Sequence, residues 1–285
     1  MVEVIYTGSH AMVATVGVNG FPEGIALSPD GSFAYVTRAN ASGVRVLDTA
    51  TLATVGNIPV GPSPCCIAMG IGGSFAYVVN SGSNDVSVID SASATVIATV
   101  PVGPLPTGVT VTPDGSRAFV ANYSAANVSV LDLPTNTVVA TVTVGANPGA
   151  IAVTPNGSAL YVGNLGQYSV TVVDAGSLAV LTTIILPASA GPTGVAVTPN
   201  GSFAYVADSF WGRVFVIDTA SNAIVSSLFI GNGPQSVAVS PNGSYAYVTV
   251  YAVSHLEVID TSTQTVVASV ALMGGTGAFQ VVFHP

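Results

Sequence analysis

The chain has 285 residues, 49% hydrophobic and only 6% charged, with no lysine, four arginines and a net charge of −9. That balance offers no basic footprint for a phosphate backbone and excludes nucleic acid and anionic membranes as partners. The apolar stretches are strand-sized and interrupted by Thr, Ser, Gly or Pro, short of the roughly 18 residues that a membrane-spanning helix needs, so no membrane insertion is expected.

Two short runs with strand character open the chain, Val2 to Tyr6 and Met12 to Val16. No signal peptide precedes them. The acidic, Ser/Thr-rich composition suggests an extracellular or cell-surface location, which would place an export leader outside this chain. From Pro22 onward a unit of about 42 residues is written six times, its opening proline recurring at Pro64, Pro106, Pro148, Pro192 and Pro234.

Each unit predicts four strands. An alternating apolar run such as Gly108 to Thr112 comes first. A two-residue loop follows, Asp-Gly or Asn-Gly at 30–31, 114–115, 156–157, 200–201 and 242–243 and Gly72-Gly73 in the second copy, which predicts a type I′ hairpin. The second strand is Phe-Ala-Tyr-Val, as at Phe33 to Val36, Phe75 to Val78 and Phe203 to Val206. The third ends in Asp48, Asp90, Asp132, Asp174, Asp218 or Asp260, followed mostly by Thr or Ser, so that six of the thirteen acidic residues read as Asx-turn formers. Six sequons occur, at Asn40, Asn122, Asn127, Asn156, Asn200 and Asn242, and the last three coincide with the tight turn.

The chain closes with Gln280 to Pro285, which aligns with the first strand Ser236 to Pro241, whereas its opening runs align with the third and fourth strands Val86 to Asp90 and Val96 to Val100. Ends that complete one another predict a ring: an all-β, seven-bladed β-propeller of four-stranded antiparallel blades, forming one domain over 1–285, its seventh blade shared between 278–285 and 1–20. That blade lacks any Phe-Ala-Tyr-Val strand. A three-stranded or truncated blade is the first expectation, and a strand donated by a longer parent chain or a partner subunit the second, since unpaired backbone invites pairing.

The second-strand sequences Tyr35-Val-Thr-Arg38, Tyr77-Val-Val-Asn80, Tyr161-Val-Gly-Asn164, Tyr205-Val-Ala-Asp208 and Tyr247-Val-Thr-Val250 carry a family resemblance. With the preceding Pro-Asp-Gly and the later Val-Ile-Asp-Thr, the chain resembles the YVTN family of β-propeller repeats over essentially its whole length. The resemblance implies a seven-bladed propeller outside the cytoplasm, of the kind found in archaeal surface-layer proteins and bacterial exported propellers. It shares its fold with lactonase-type and lyase propellers, and it supplies no catalytic motif.

In such a ring the loops into the first strand and from the second to the third lie on one face, around the channel mouth. Subtracting the repeat leaves the candidate ligand-binding residues there: Glu23, Arg38, Cys65, Cys66, Asp85, Tyr123, Asp208, Trp211, Arg213 and His255, with Asn80, Tyr168, Phe210, Tyr251 and Gln280 beside them. The connections before Pro192 and Ala278 are each two residues longer than the rest. Cys65-Cys66 reads as two free, partly buried thiols, a strained vicinal disulfide, or a soft-metal or nucleophile site, in that order. No zinc-ligand spacing accompanies it, and neither metal nor cofactor is expected. His10 and His284 map near the opposite face, leaving His255 alone at the mouth. Asp208 to Arg213 offers an aromatic platform with a cation, suited to a sugar ring or another flat ligand, or else a loop packed over its blade. Arg45, Glu257 and Glu3 share one third-strand position and read as solubilising surface residues.

These features predict a non-enzymatic secreted or cell-surface module that binds or assembles with another protein or with itself, or takes a small molecule or glycan. The alternative is a hydrolase or lyase with Glu23, Asp85, Asp208 or His255 as base and Arg38 or Arg213 holding an anionic group.

Overall fold

The computed structural model describes residues 1–187, 190–273 and 280–283. β1 (Val2–Tyr6) pairs antiparallel with β2 (Ala11–Val16), and six four-stranded antiparallel sheets follow. In blade 1 the strands are β3 (Pro22–Leu27), β4 (Phe33–Arg38), β5 (Gly43–Asp48) and β6 (Thr54–Pro59), hydrogen-bonded in that order. Blades 2 to 6 repeat this from Pro64, Pro106, Pro148, Pro192 and Pro234, and neighbouring first strands pack side by side.

The two middle strands of a blade are flanked by strands at both edges and covered by neighbouring blades on both faces, which is why they read as nearly continuous apolar runs. In blade 2, Ala76, Tyr77, Val78, Val79, Val86, Val88 and Ile89 are all buried. Tyr77, Val79, Val86 and Val88 pack on Ala118, Val120 and Leu131 of blade 3, so the core lies between blades. Each such side chain contributes about 1.5–3 kcal/mol when fully buried. Fourth strands face water on one side and alternate accordingly, as Thr95–Pro101 does.

Close approach around the axis requires small residues. A Cβ on Gly24 would lie 2.8 Å from the Cys65 carbonyl oxygen, one on Gly108 2.1 Å from that of Gly149, and one on Gly194 2.8 Å from that of Gln235. Glycine at this place in blades 1, 3 and 5 thus alternates with Cys66, Ala150 and Ser236 in blades 2, 4 and 6.

The hairpin between first and second strands differs from the expected type I′ turn. In the hairpin loop of blade 1, Ser28 to Ser32, only Gly31 has a positive φ, 72°, and its amide donates to the Ser28 carbonyl at 2.8 Å. Pro29 fixes a negative φ at the first central position, so a type I turn forms over Pro29-Asp30 and the glycine follows it in the left-handed region. The turn side chains serve as acceptors: Asp30 Oδ1 accepts Ser28 Oγ at 2.6 Å and the Ser32 amide at 3.0 Å, and the amide oxygens of Asn156, Asn200 and Asn242 accept the equivalent two bonds in their blades. At the third-strand ends the Asx-turns form as expected, with Asp90 accepting the Ser93 amide at 2.7 Å and Asp218 the Ser221 amide at 2.8 Å.

The ring closes through its ends. Ile5 and, from the C-terminal segment, Val281 and Phe283 pack on Tyr247, Leu256 and Val258 of blade 6. Val2, Val16 and Val18 pack on Ala34, Val36 and Leu47 of blade 1. His10 Nδ1 meets the Tyr247 hydroxyl at 2.6 Å, and burial with the neighbouring Tyr245 pushes that phenol up to about 12. This bond repeats the contact of Tyr161 with Asn222 between blades 4 and 5.

A three-stranded or truncated blade 7 was expected, and among the described residues it is partial, with only β1 and β2 paired. Val281 and Phe283 are half-buried against blade 6 without joining a ladder, and among the described residues no second strand lies in this blade to hydrogen-bond them. His284, the end of that run, and both longer connections fall wholly or partly outside the described residues.

Candidate functional site

One backbone bond per blade fixes the two sets of channel-face loops together. The residue after each second strand donates to the residue before the opening proline of the same blade: Ala39 to Phe21, Ser81 to Ser63, Tyr123 to Leu105, Leu165 to Asn147, Ser209 to Gly191 and Tyr251 to Gly233, at 2.9 to 3.1 Å. The candidate loops therefore do share a face.

At the inner rim, each first strand carries a bulge just after its proline, which re-aims the next side chain toward the neighbouring blade. Thr107 Oγ1 donates to the Pro148 carbonyl at 3.2 Å, Thr193 Oγ1 to that of Pro234 at 2.9 Å, and Cys65 Sγ lies 3.6 Å from that of Pro106. Cys66 Sγ donates to the Thr107 carbonyl at 3.0 Å. Both cysteines are free thiols. The hydrogen bond with Cys66, burial, and the adjacent Cys66 and Glu23 charges together push the Cys65 thiol well up, the opposite of what a nucleophile or metal ligand requires.

Glu23 occupies the same rim position as Cys65, Thr107 and Thr193 in its own blade. Partial burial raises its carboxyl above the usual range. Beside it Gln280 Oε1 accepts the Ile25 amide at 2.7 Å. Glu23, Cys65, Cys66 and Gln280 are thus brought together along one arc of the rim.

The remaining candidates are not drawn into that arc. Arg38 is 6% exposed, with its guanidinium on Asn57 Oδ1 and the Asn19 carbonyl, its Nε unpartnered, and its pKa lowered by burial and then by Arg45. Asp85 accepts Asn80 Nδ2 at 2.6 Å, and Asn127 plays the same part toward Asn122. This bond ties the second strand of blade 2 to its third. Asp208, fully buried, accepts the amides of Gly191 at 2.7 Å, Phe210 at 3.0 Å and Trp211 at 3.4 Å, all on Oδ1, while its Oδ2 has no hydrogen-bond partner. Tyr123 is half-buried and its carbonyl accepts Asn147 Nδ2. The loop that Asp208 caps leaves Phe210 56% and Trp211 55% exposed. Arg213 beyond it donates to Ser227 Oγ at 3.1 Å.

His255 is not isolated, contrary to expectation. Its Nδ1 lies 3.9 Å from Glu257 Oε1 and 3.5 Å from Ser269 Oγ, while that hydroxyl donates to Glu257 at 2.7 Å. Glu257, expected at the surface, is 8% exposed, because both faces of a third strand are covered. The i, i+2 spacing of His255 and Glu257 on a strand is the signal that could have found the pair. Since the serine gives its proton to the carboxylate rather than to the imidazole, the trio lacks the connectivity of a nucleophilic triad.

A groove of about 900 Å³ opens from the Glu23 end of the rim along blade 7, lined by β1, by Gln280 to Phe283, by Tyr245, Tyr247 and Leu256 of blade 6 and by Ile25 and Val36 of blade 1. Sequence reading found the missing strand but not this opening. Among the described residues no group of three His, Cys, Asp or Glu side chains could hold a metal ion, and no helix is long and apolar enough to cross a membrane.

Six full blades and a seventh formed by the chain's ends define a seven-bladed β-propeller. The chain belongs to the lactonase family of such propellers, whose model, "Lactonase, 7-bladed beta-propeller", matches residues 33–228. Among solved structures it is similar to hydrazine synthase of Kuenenia stuttgartiensis, with a TM-score of 0.82 and 23% identity over 91% of this chain and 89% of that one. A functionally unknown protein from Desulfotomaculum acetoxidans superposes with a TM-score of 0.82 and 18% identity over 96% of this chain and 92% of the other. At these identities both likenesses concern the fold. No curated protein matches the chain.

Proposed function

We propose that this propeller is a binding module of the cell surface or secreted space, taking a glycan or another flat ligand on the Phe210–Trp211 loop. One observation carries the reading: Asp208, at the base of that loop, accepts three backbone amides on its Oδ1, two of them from Phe210 and Trp211, whose large aromatic side chains are more than half exposed. An apolar loop packed down on its blade would bury those rings; a presented pair supplies a stacking platform with Arg213 nearby. The resemblance to YVTN surface-layer repeats and the acidic, lysine-free composition favour the extracellular setting.

Trp211 is the single tryptophan, so its emission reports on this loop alone. Titration with a panel of oligosaccharides is expected to give a saturable change that Phe210→Ala weakens at least tenfold. Flat titrations across the panel, with unchanged emission, would remove the platform.

A second reading is favoured by the family and by Glu23, a half-buried carboxyl with a raised pKa at the channel mouth. As a general base it would activate water for ester or lactone hydrolysis. Turnover of a lactone panel that Glu23→Gln abolishes would establish this reading in place of the first.

A further inference from the structure

The groove in blade 7 has the shape of something the other blades contain. In blade 2 the second strand is wedged between the first and third, pairing Ala76 with Ile89, Tyr77 with Val88 and Val78 with Ser87, and all three of its residues are buried. By the alignment of β1 with Val86 to Asp90, Ile5 stands for Ile89 and Val4 for Val88. Whereas Val86, Val88 and Ile89 are buried, Val2, Val4 and Ile5 are only half-buried, and Tyr6 is exposed. Val281 and Phe283, at the place of the first strand, are half-buried too.

The walls of the opening continue the inter-blade interfaces already described. Tyr247 and Leu256 on one side belong to the core that Ile5 and Phe283 enter, and Val36 on the other belongs to the core of Val2 and Val16. Among the described residues β1 pairs with β2 alone, so its other edge faces the groove. A six-residue strand, about 20 Å long, is the element that would bury both walls and join this edge.

We propose that the seventh blade is a strand acceptor, completed by an extended segment of another polypeptide that reads aromatic, small, tyrosine, β-branched and lies antiparallel to β1. Four of the six intact second strands, those of blades 1, 2, 5 and 6, define that chemistry: the small residue lies opposite the place of Ile5 and the tyrosine opposite that of Val4. This surface is separate from the Phe210–Trp211 loop on blade 5, so the two proposals stand or fall independently.

A labelled peptide copying residues 201–208 (Gly-Ser-Phe-Ala-Tyr-Val-Ala-Asp) tests it on the full chain by fluorescence anisotropy. Saturable binding is expected, with raised melting temperature and slowed amide exchange in Val2 to Tyr6. A peptide with arginine in place of its first alanine is expected to bind at least tenfold more weakly. Because Ile5→Arg could unfold the blade, a second variant appends Asn-Gly-Ser-Phe-Ala-Tyr-Val-Ala-Asp after Pro285; filling the groove in cis, it is expected to melt higher and to lose the peptide in trans. Absence of binding together with an unchanged melting temperature in the appended variant would overturn the proposal. Sedimentation of the unmodified chain as a dimer with Val2 to Tyr6 already protected would overturn it also, by assigning the groove to a second copy.

Discussion

Blades 2 and 7 carry nearly the same third strand in different surroundings. Val86-Ser-Val-Ile-Asp90 lies between two strands and beneath two blades; Val2-Glu-Val-Ile-Tyr6 has a strand at one edge and a groove at the other. Identical aliphatic side chains are therefore sealed in one blade and half-wet in the other. Burial in this protein is a property of position in the ring, and the ring is weakest where its two ends meet.

The largest expected effect breaks that comparison directly. Ile89→Ala, at a site with 0% exposure, should cost about 2–5 kcal/mol, while Ile5→Ala should cost less than half as much, both read by denaturant unfolding. Equal losses would mean that the groove is filled in solution. The next effect concerns the seam. His10→Ala removes the partner of a buried phenol and should cost about 1–2 kcal/mol. Hydrogen exchange should show that loss concentrated in β1 and β2.

Smaller effects follow pH. Glu23 has a folded pKa above its unfolded value, so its contribution is complete below about pH 4.5 and declines as pH rises through the folded pKa. Glu23→Gln should therefore raise the melting temperature near pH 7 by a few degrees or less and leave it unchanged at pH 4. The turn aspartates act in the opposite sense. Asp30 and Asp114 are lowered to about 2, chiefly by the Ser28 and Thr112 hydroxyls, and Asp48, Asp90, Asp174, Asp218 and Asp260 are lowered by the hydroxyls and amides of their turns. Their stabilisation is present above pH 3.8 and lost as pH falls through their folded pKa values, for Asp30 and Asp114 about 2. The melting temperature should fall over that interval, and Asp114→Asn should make the fall shallower by a small, measurable amount.

Most of the fold was legible because each repeat states the same local chemistry. Pro-Asp-Gly and Asp-Thr are turn instructions confined to a few residues, and period and strand count follow from them. Even there the turn type was misjudged: proline at the first central position overrode the preference that the Asp-Gly pair suggests in isolation. The candidate site was legible mainly as a face. That Glu23 and the cysteines share a rim depends on neighbours about 42 residues away, that Asp208 serves three amides depends on the loop before Pro192 meeting the one after the second strand of blade 5, and that Glu257 is buried beside His255 depends on the strands that cover its own.

The sequence alone therefore determined the blade, the places of its turns and the pairing of the chain's two ends in one blade, because those rest on short-range backbone preferences repeated in register. Only the tertiary structure decided which polar groups are spent on holding blades together and where surface remains open. Those outcomes depend on desolvation and on contacts between blades, and the same Val-x-Val-Ile segment meets a strand in one blade and a groove in another.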